Sequence, residues 1–183
     1  MKTHSLLAAT LGAIILTTGC SATGAAWQTL RVGKNLAKKD SYLKIYIDGA
    51  QAKQNKLKKA YMGYASFKCK APVSTSPTFR FDFIDPAKFG RITGTNMQIH
   101  QAFEADYSHQ PEFVITPRSS GADNLMKPGI DYNLGNPPSQ FRVLDFEHNE
   151  TTGVSLKPGM KYLLVFTVSG DRSETVQILF ETR

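Results

Sequence analysis

The chain has 183 residues and a formal net charge of +7, with 20% charged and 10% aromatic side chains. That composition excludes a disordered chain, and the length suits a single domain that buries roughly 70% of its unfolded surface. No phosphate-cradling glycine loop, dinucleotide fingerprint or G-x-S-x-G elbow occurs, so the common nucleotide-binding and serine-nucleophile signatures are absent.

The first element is an apolar N-terminal segment. Lys2 and the amino terminus form a short positive region, Ser5 to Thr18 is uncharged and rich in Leu, Ala and Ile, and Gly19 precedes Cys20. A stretch of about 14 residues falls short of the about 20 that a spanning helix needs. Leu16-Thr17-Thr18-Gly19-Cys20-Ser21 resembles the lipobox of a bacterial lipoprotein signal peptide, with Thr17 where such boxes usually carry Leu. The resemblance implies a signal peptide at 1–19, a lipidated tether at 20–40 beginning with diacylated Cys20, and a folded domain at 41–183. It places the protein on a bacterial envelope membrane. Ser21, where an Asp would favour inner-membrane retention, points to the outer membrane facing the periplasm. An ordinary secretory signal cleaved near Ala22 or Ala26, and a retained membrane helix, are the competing readings. Acyl chains contribute about 0.8 kcal/mol per buried methylene, so two or three hold a protein stably on a bilayer.

Residues 20–40 mix small, polar and basic side chains with no clean period, as a tether would. From residue 41 the period becomes two. Leu43, Ile45 and Ile47 alternate with polar or amphipathic residues, as do Ala65, Phe67 and Cys69, then Phe79, Phe81 and Phe83 before Asp85-Pro86. Met97, Ile99 and Phe103 predict another strand, Glu112 to Thr116 a shorter one, and Phe141 to Phe146 one of ambiguous parity. Tyr162 to Val168 is apolar on both faces, as a central strand would be, and Val176, Ile178 and Phe180 alternate again. Residues 117–140 hold four prolines and three glycines without alternation, which predicts a long loop of the kind that often carries function. The chain reads as free of internal repeats and of any convincing long helix after the signal segment.

This pattern predicts an all-β, antiparallel sandwich of about seven to eight strands. Leu156-Lys157-Pro158-Gly159-Met160-Lys161-Tyr162, ahead of a strong strand, resembles the L-x-P-G-x-x-Y corner of fibronectin type III and related immunoglobulin-like sandwiches. The resemblance implies an immunoglobulin-like fold in which Leu156, Pro158 and Gly159 shape the corner and the Tyr162 hydroxyl bonds back to upstream backbone.

The chemistry-bearing residues are few. His100 and His109 bracket Glu104 and Asp106, and His148 sits beside Asp145, Glu147 and Glu150. Their spacing matches no familiar metal site, and the parity of His100 points it outward, so the three histidines are expected on the solvated surface as weak metal candidates. Cys69 is expected as a buried, inert thiol, although Lys68 and Lys70 flank it. Asp82 and Asp85 could pair as carboxylates, but Asp85-Pro86 reads as a strand-ending turn. No catalytic residue and no cofactor is expected. Trp27, with Lys34, Lys38 and Lys39 in the tether and Lys53, Lys56, Lys58 and Lys59 in the first loop, could contact a membrane interface or another anionic surface. A membrane-tethered, exported chain makes nucleic acid an improbable partner despite its charge.

Together these features point to a non-enzymatic envelope lipoprotein that docks a protein partner as an accessory or assembly part of a surface or secretion system. The sandwich lipoproteins of type VI secretion systems are an analogue in architecture alone. An exposed sheet edge or the 117–140 loop is the expected docking surface. The alternatives are a small-molecule, glycan or metal-binding module using Tyr107, Tyr132, His100 and His109, and an envelope hydrolase.

Overall fold

A computed structural model describes residues 40–54, 64–103 and 107–183. The period-two segments become strands: β1 (Leu43–Ile47), β2 (Ala50–Gln51), β3 (Lys53–Gln54), β4 (Ala65–Lys68), β5 (Thr78–Phe83), β6 (Ile92–Gln101), β7 (Phe113–Pro117), β8 (Tyr132–Asn133), β9 (Phe141–Asp145), β10 (Glu150–Thr151), β11 (Lys161–Gly170) and β12 (Ser173–Glu181). They form a four-stranded sheet, β2-β1-β5-β8, and an eight-stranded sheet, β10-β9-β7-β6-β11-β12-β4-β3. The protein is therefore all-β with two sheets over a shared core.

The core follows from the alternation. Leu43, Ile45 and Ile47 from β1 and Phe79 and Phe81 from β5 are buried, as are Tyr162, Leu164, Phe166 and Val168 from β11. The Phe166 ring lies 4.8 Å from that of Phe79 and 4.9 Å from that of Phe81, which ties the inner faces of the two sheets together. Each such ring pair adds about 0.5–1.5 kcal/mol beyond the area it buries. β11 sits between β6 and β12, and Leu163 on its other face is also buried, as a central strand requires.

Several expectations change. The pairing is not purely antiparallel, because β4 runs parallel to β12, matching Ala65 with Val176 and Lys68 with Leu179. Partners so far apart in the chain leave no local signal of direction. Phe103 lies beyond β6 with 56% of its surface exposed, and Phe146 lies beyond β9 at 58%. Asp85-Pro86 does end β5, but it then opens a single helical turn, Pro86–Phe89. The Asp85 side chain caps that turn by accepting from the Lys88 amide at 3.4 Å. Proline at the first position suits a turn that has no use for that N–H.

The 117–140 segment is not a free loop. Met126, Tyr132 and Leu134 are buried, Met126 N–H donates to Thr95 Oγ1 at 3.1 Å, and β8 completes the small sheet beside β5. It crosses from the large sheet to the small one and closes the core.

It also contains a repeat that sequence reading missed. Met126-Lys127-Pro128-Gly129-Ile130-Asp131-Tyr132 shares its pattern with Leu156-Lys157-Pro158-Gly159-Met160-Lys161-Tyr162. The Lys157 N–H donates to Tyr162 Oη at 3.0 Å, and the Lys127 N–H donates to Tyr132 Oη at 2.6 Å. Gly129 and Gly159 take φ of +80° and +70°, a region where a side chain costs about 1–2 kcal/mol. The first residue of each copy, Met126 or Leu156, is buried under its turn. The described residues thus hold two tyrosine corners, one at each of two places where the chain enters a sheet.

Candidate functional site

The sandwich has two distinguishable ends. At one, the chain enters β1 through Tyr42, whose N–H donates to the Glu174 carboxylate at 3.0 Å and whose hydroxyl accepts from Arg172 at 3.0 Å. At the other, β1 ends in Asp48, which at φ +48° accepts from Ser74 N–H at 2.6 Å and Thr78 N–H at 2.9 Å. The six residue steps between Tyr42 and Asp48 separate these ends by about 20 Å at 3.3 Å per residue.

The Asp48 end carries the most distinctive surface among the described residues. After β4 the chain runs through Cys69-Lys70-Ala71-Pro72, held to β12 by Cys69 N–H to Leu179 O at 3.0 Å and Val73 N–H to Glu181 O at 2.8 Å. Two hollows of about 270 Å³ each share this stretch as a common wall. The first is bounded by Lys68, Lys70, Lys161, Phe103, Leu179 and Glu181; the second by Asp48, Gln51, Lys70, Pro72 and Arg183. Alternation explains the charge. Phe67 turns into the core, so Lys68 and Lys70 share the outer face, and Lys53 on β3 pairs opposite Lys68.

No described carboxylate forms an ion pair with Lys53, Lys68, Lys70, Lys161 or Arg183. Like charges directly across a sheet are destabilising. Here a hydrogen bond from the neighbouring Lys53 ammonium, and repulsion by it, hold Lys70 below the ordinary lysine range. Several cations elsewhere are paired. Arg80 lies 3.6 Å from Asp82, 3.9 Å from Asp131 and 4.0 Å over the Tyr46 ring; Lys88 pairs with Asp85 at 3.3 Å; and Arg118 grips Glu150. Asp82 and Asp85 therefore serve separate cations rather than each other.

The other candidate residues are dispersed. Contrary to the outward expectation, His100 is buried at 4% exposure. Residues after β6 fold back over that face: Ala102 bridges to Tyr107, the Tyr107 ring meets His100 edge-on at 5.4 Å, and His100 Nδ1 hydrogen-bonds Ser108 O at 2.9 Å. Desolvation lowers its pKa against the raising effect of the Ser108 bond. His109 and His148 are exposed, and among the described residues no three His, Cys, Asp or Glu side chains converge as metal ligands. Tyr132 is occupied in its corner, so Tyr107, Tyr132, His100 and His109 do not line one site. Cys69 is half-buried, and burial, with a smaller contribution from Asp48, pushes its thiol up to about 11. It is therefore protonated and weakly nucleophilic at neutral pH.

Cys20, Trp27, Lys34, Lys38, Lys39, Lys56, Lys58 and Lys59 lie outside the described residues. Of the basic residues singled out in the sequence, Lys53 is at the cleft. Lys161, Arg183 and Phe103 were not singled out as part of a site. Only the Lys68-x-Lys70 alternation hinted at a basic face, and the other contributors come from distant strands. The edges expected as docking surfaces are short: β2, β8, β10 and β3 each have two residues, a device that blunts edge-to-edge pairing. No protein-family model, curated protein or solved structure matches the chain.

Proposed function

We propose that the chain is a non-enzymatic envelope lipoprotein, anchored through acyl groups on Cys20, that docks a protein partner as an accessory or assembly component of a surface or secretion system. The observation that supports docking is the basic cleft at the Asp48 end, whose cations have no carboxylate partner among the described residues. Short edges and a stitched-down 117–140 segment favour the cleft over those places as the docking surface. An immunoglobulin-like assignment for the sandwich draws support from the corner at Tyr162.

Mild crosslinking of the lipidated chain in its native envelope, followed by purification, tests this reading. Recovery of one stoichiometric partner is expected, and Cys20→Ala is expected to release a folded, soluble domain. Isolation of a lone monomer would remove the docking reading, and continued membrane attachment of Cys20→Ala would remove the anchor. A small-molecule or glycan-binding module is the second reading, favoured by the apolar wall that exposed Phe103 gives the first hollow.

A further inference from the structure

Resting on that docking reading, we infer that the cleft receives an extended acidic segment of the partner, with an apolar side chain set against Phe103. Three observations converge on this occupant.

The first is charge. The first hollow sets Lys68, Lys70 and Lys161 against a single acid, Glu181. The second sets Lys70 and Arg183 against Asp48, whose carboxylate is already engaged by Ser74 and Thr78. Lys53 adds a further cation through its register with Lys68. Bringing carboxylates here relieves repulsion among ammonium groups, so the gain exceeds that of an isolated surface pair.

The second is shape. Two hollows share the Lys70–Pro72 wall, and neither alone reaches the about 300 Å³ at which compact ligand pockets begin. A chain that alternates side chains can occupy both. Pro72 lacks an N–H in the shared wall, so recognition runs through side chains rather than through a continuous added strand.

The third is position. The cleft lies at the end of β1 opposite Tyr42, where the chain arrives from the tether. On the anchored reading, the chain enters the folded domain at the end opposite the cleft. That favours a protein segment over the anchoring leaflet as the source of the anionic groups.

The test uses the full chain in a neutral detergent and fluorescent synthetic peptides. One probe alternates Glu with Leu and Phe, a second is oligoglutamate of equal charge, and a third replaces Glu with Gln. The Glu/Leu/Phe probe is expected to bind most tightly, to weaken with added salt and to lose affinity by about tenfold or more in Lys68→Glu/Lys70→Glu. Lys44→Glu/Arg142→Glu makes the same charge change on other outward-facing strand positions and should bind like the parent. Phe103→Ser should erase the preference for the apolar acidic probe while leaving oligoglutamate binding in place. Equal binding of the Gln probe, or affinity unchanged by the Lys68/Lys70 reversal, would overturn the inference. So would selective capture by phosphatidylglycerol vesicles with no peptide binding. If crosslinking still recovers a stoichiometric partner from Lys68→Glu/Lys70→Glu envelopes, the protein docks elsewhere, and only the occupant of the cleft has been misassigned.

Discussion

The corners at Tyr132 and Tyr162 share seven-residue patterns, positive-φ glycines and hydroxyl–amide bonds, yet they lead into very different strands. Tyr162 opens the ten-residue central β11, flanked on both sides, while Tyr132 opens the two-residue β8 at the rim of the small sheet. The ring of Tyr162 lies against Phe180 at 5.9 Å, and that of Tyr132 meets Phe141 edge-on at 5.7 Å. The pattern therefore specifies the turn and the bond across it. How far the following strand runs is set by what lies on either side: β6 and β12 supply a ladder along β11, whereas β8 has only β5.

That contrast can be broken most forcefully by removing the rings. Tyr162→Ala should cost about 3–5 kcal/mol, enough to abolish folding in a marginally stable domain. Tyr132→Ala should cost less and leave a folded protein with a loosened 117–140 segment, seen as faster amide exchange from Leu125 to Leu134. Equal costs in chemical denaturation would show that the two corners carry the same structural weight.

Deleting only the hydroxyls sharpens the comparison. Tyr162→Phe and Tyr132→Phe each leave a lysine amide without its acceptor and should each lose about 1–3 kcal/mol. Similar losses in urea melts would show that the bond is local to the motif. A loss confined to Tyr162→Phe would tie its value to the surrounding sheet.

The glycines give a smaller, backbone-only effect. An added Cβ at Gly159 meets nothing within 4 Å, and at Gly129 it comes to 3.6 Å from Asp82 Oδ1, an ordinary contact. Both Gly→Ala changes should therefore cost the same, about 1 kcal/mol, for conformation alone. A clear difference in melting temperature between them would mean that the two turns are not equivalent.

The smallest effect concerns His100, which pairs across from Leu163, one step past Tyr162; Phe79 stands across from Tyr132. Burial lowers the His100 pKa, so below about 6.5 the unfolded chain binds the proton that the native state resists. Its contribution to stability is complete above that pH and declines as pH falls toward the lowered native value. His100→Gln should flatten the drop in denaturation midpoint between pH 7.5 and pH 5. An unchanged pH slope would show that His100 does not titrate differently on folding.

Much of the fold was legible from period-two alternation, because one buried face imposes it: Leu43 to Ile47, Phe79 to Phe83 and Val176 to Phe180 occur as strands with those residues inward. The Tyr162 corner was legible because its residues are contiguous. The same motif at Tyr132 went unread because it lay among prolines and glycines that suggested an unstructured loop. His100 was misplaced for a different reason. Alternation assigns a side chain to a face, but a returning segment can cover that face.

The cleft was least legible. Its cations come from β3, from the end of β4 and just after it, from the start of β11 and from the chain's last residue, and beyond Lys68-x-Lys70 nothing local joins them. By itself the sequence determined the strand periods and the tight turns, which depend on neighbours in the chain. Only tertiary structure decided the parallel β4–β12 pairing, the burial of His100 and the gathering of unpaired lysines at one end. Those depend on side chains far apart in the chain meeting in space, where desolvation and like-charge repulsion first arise.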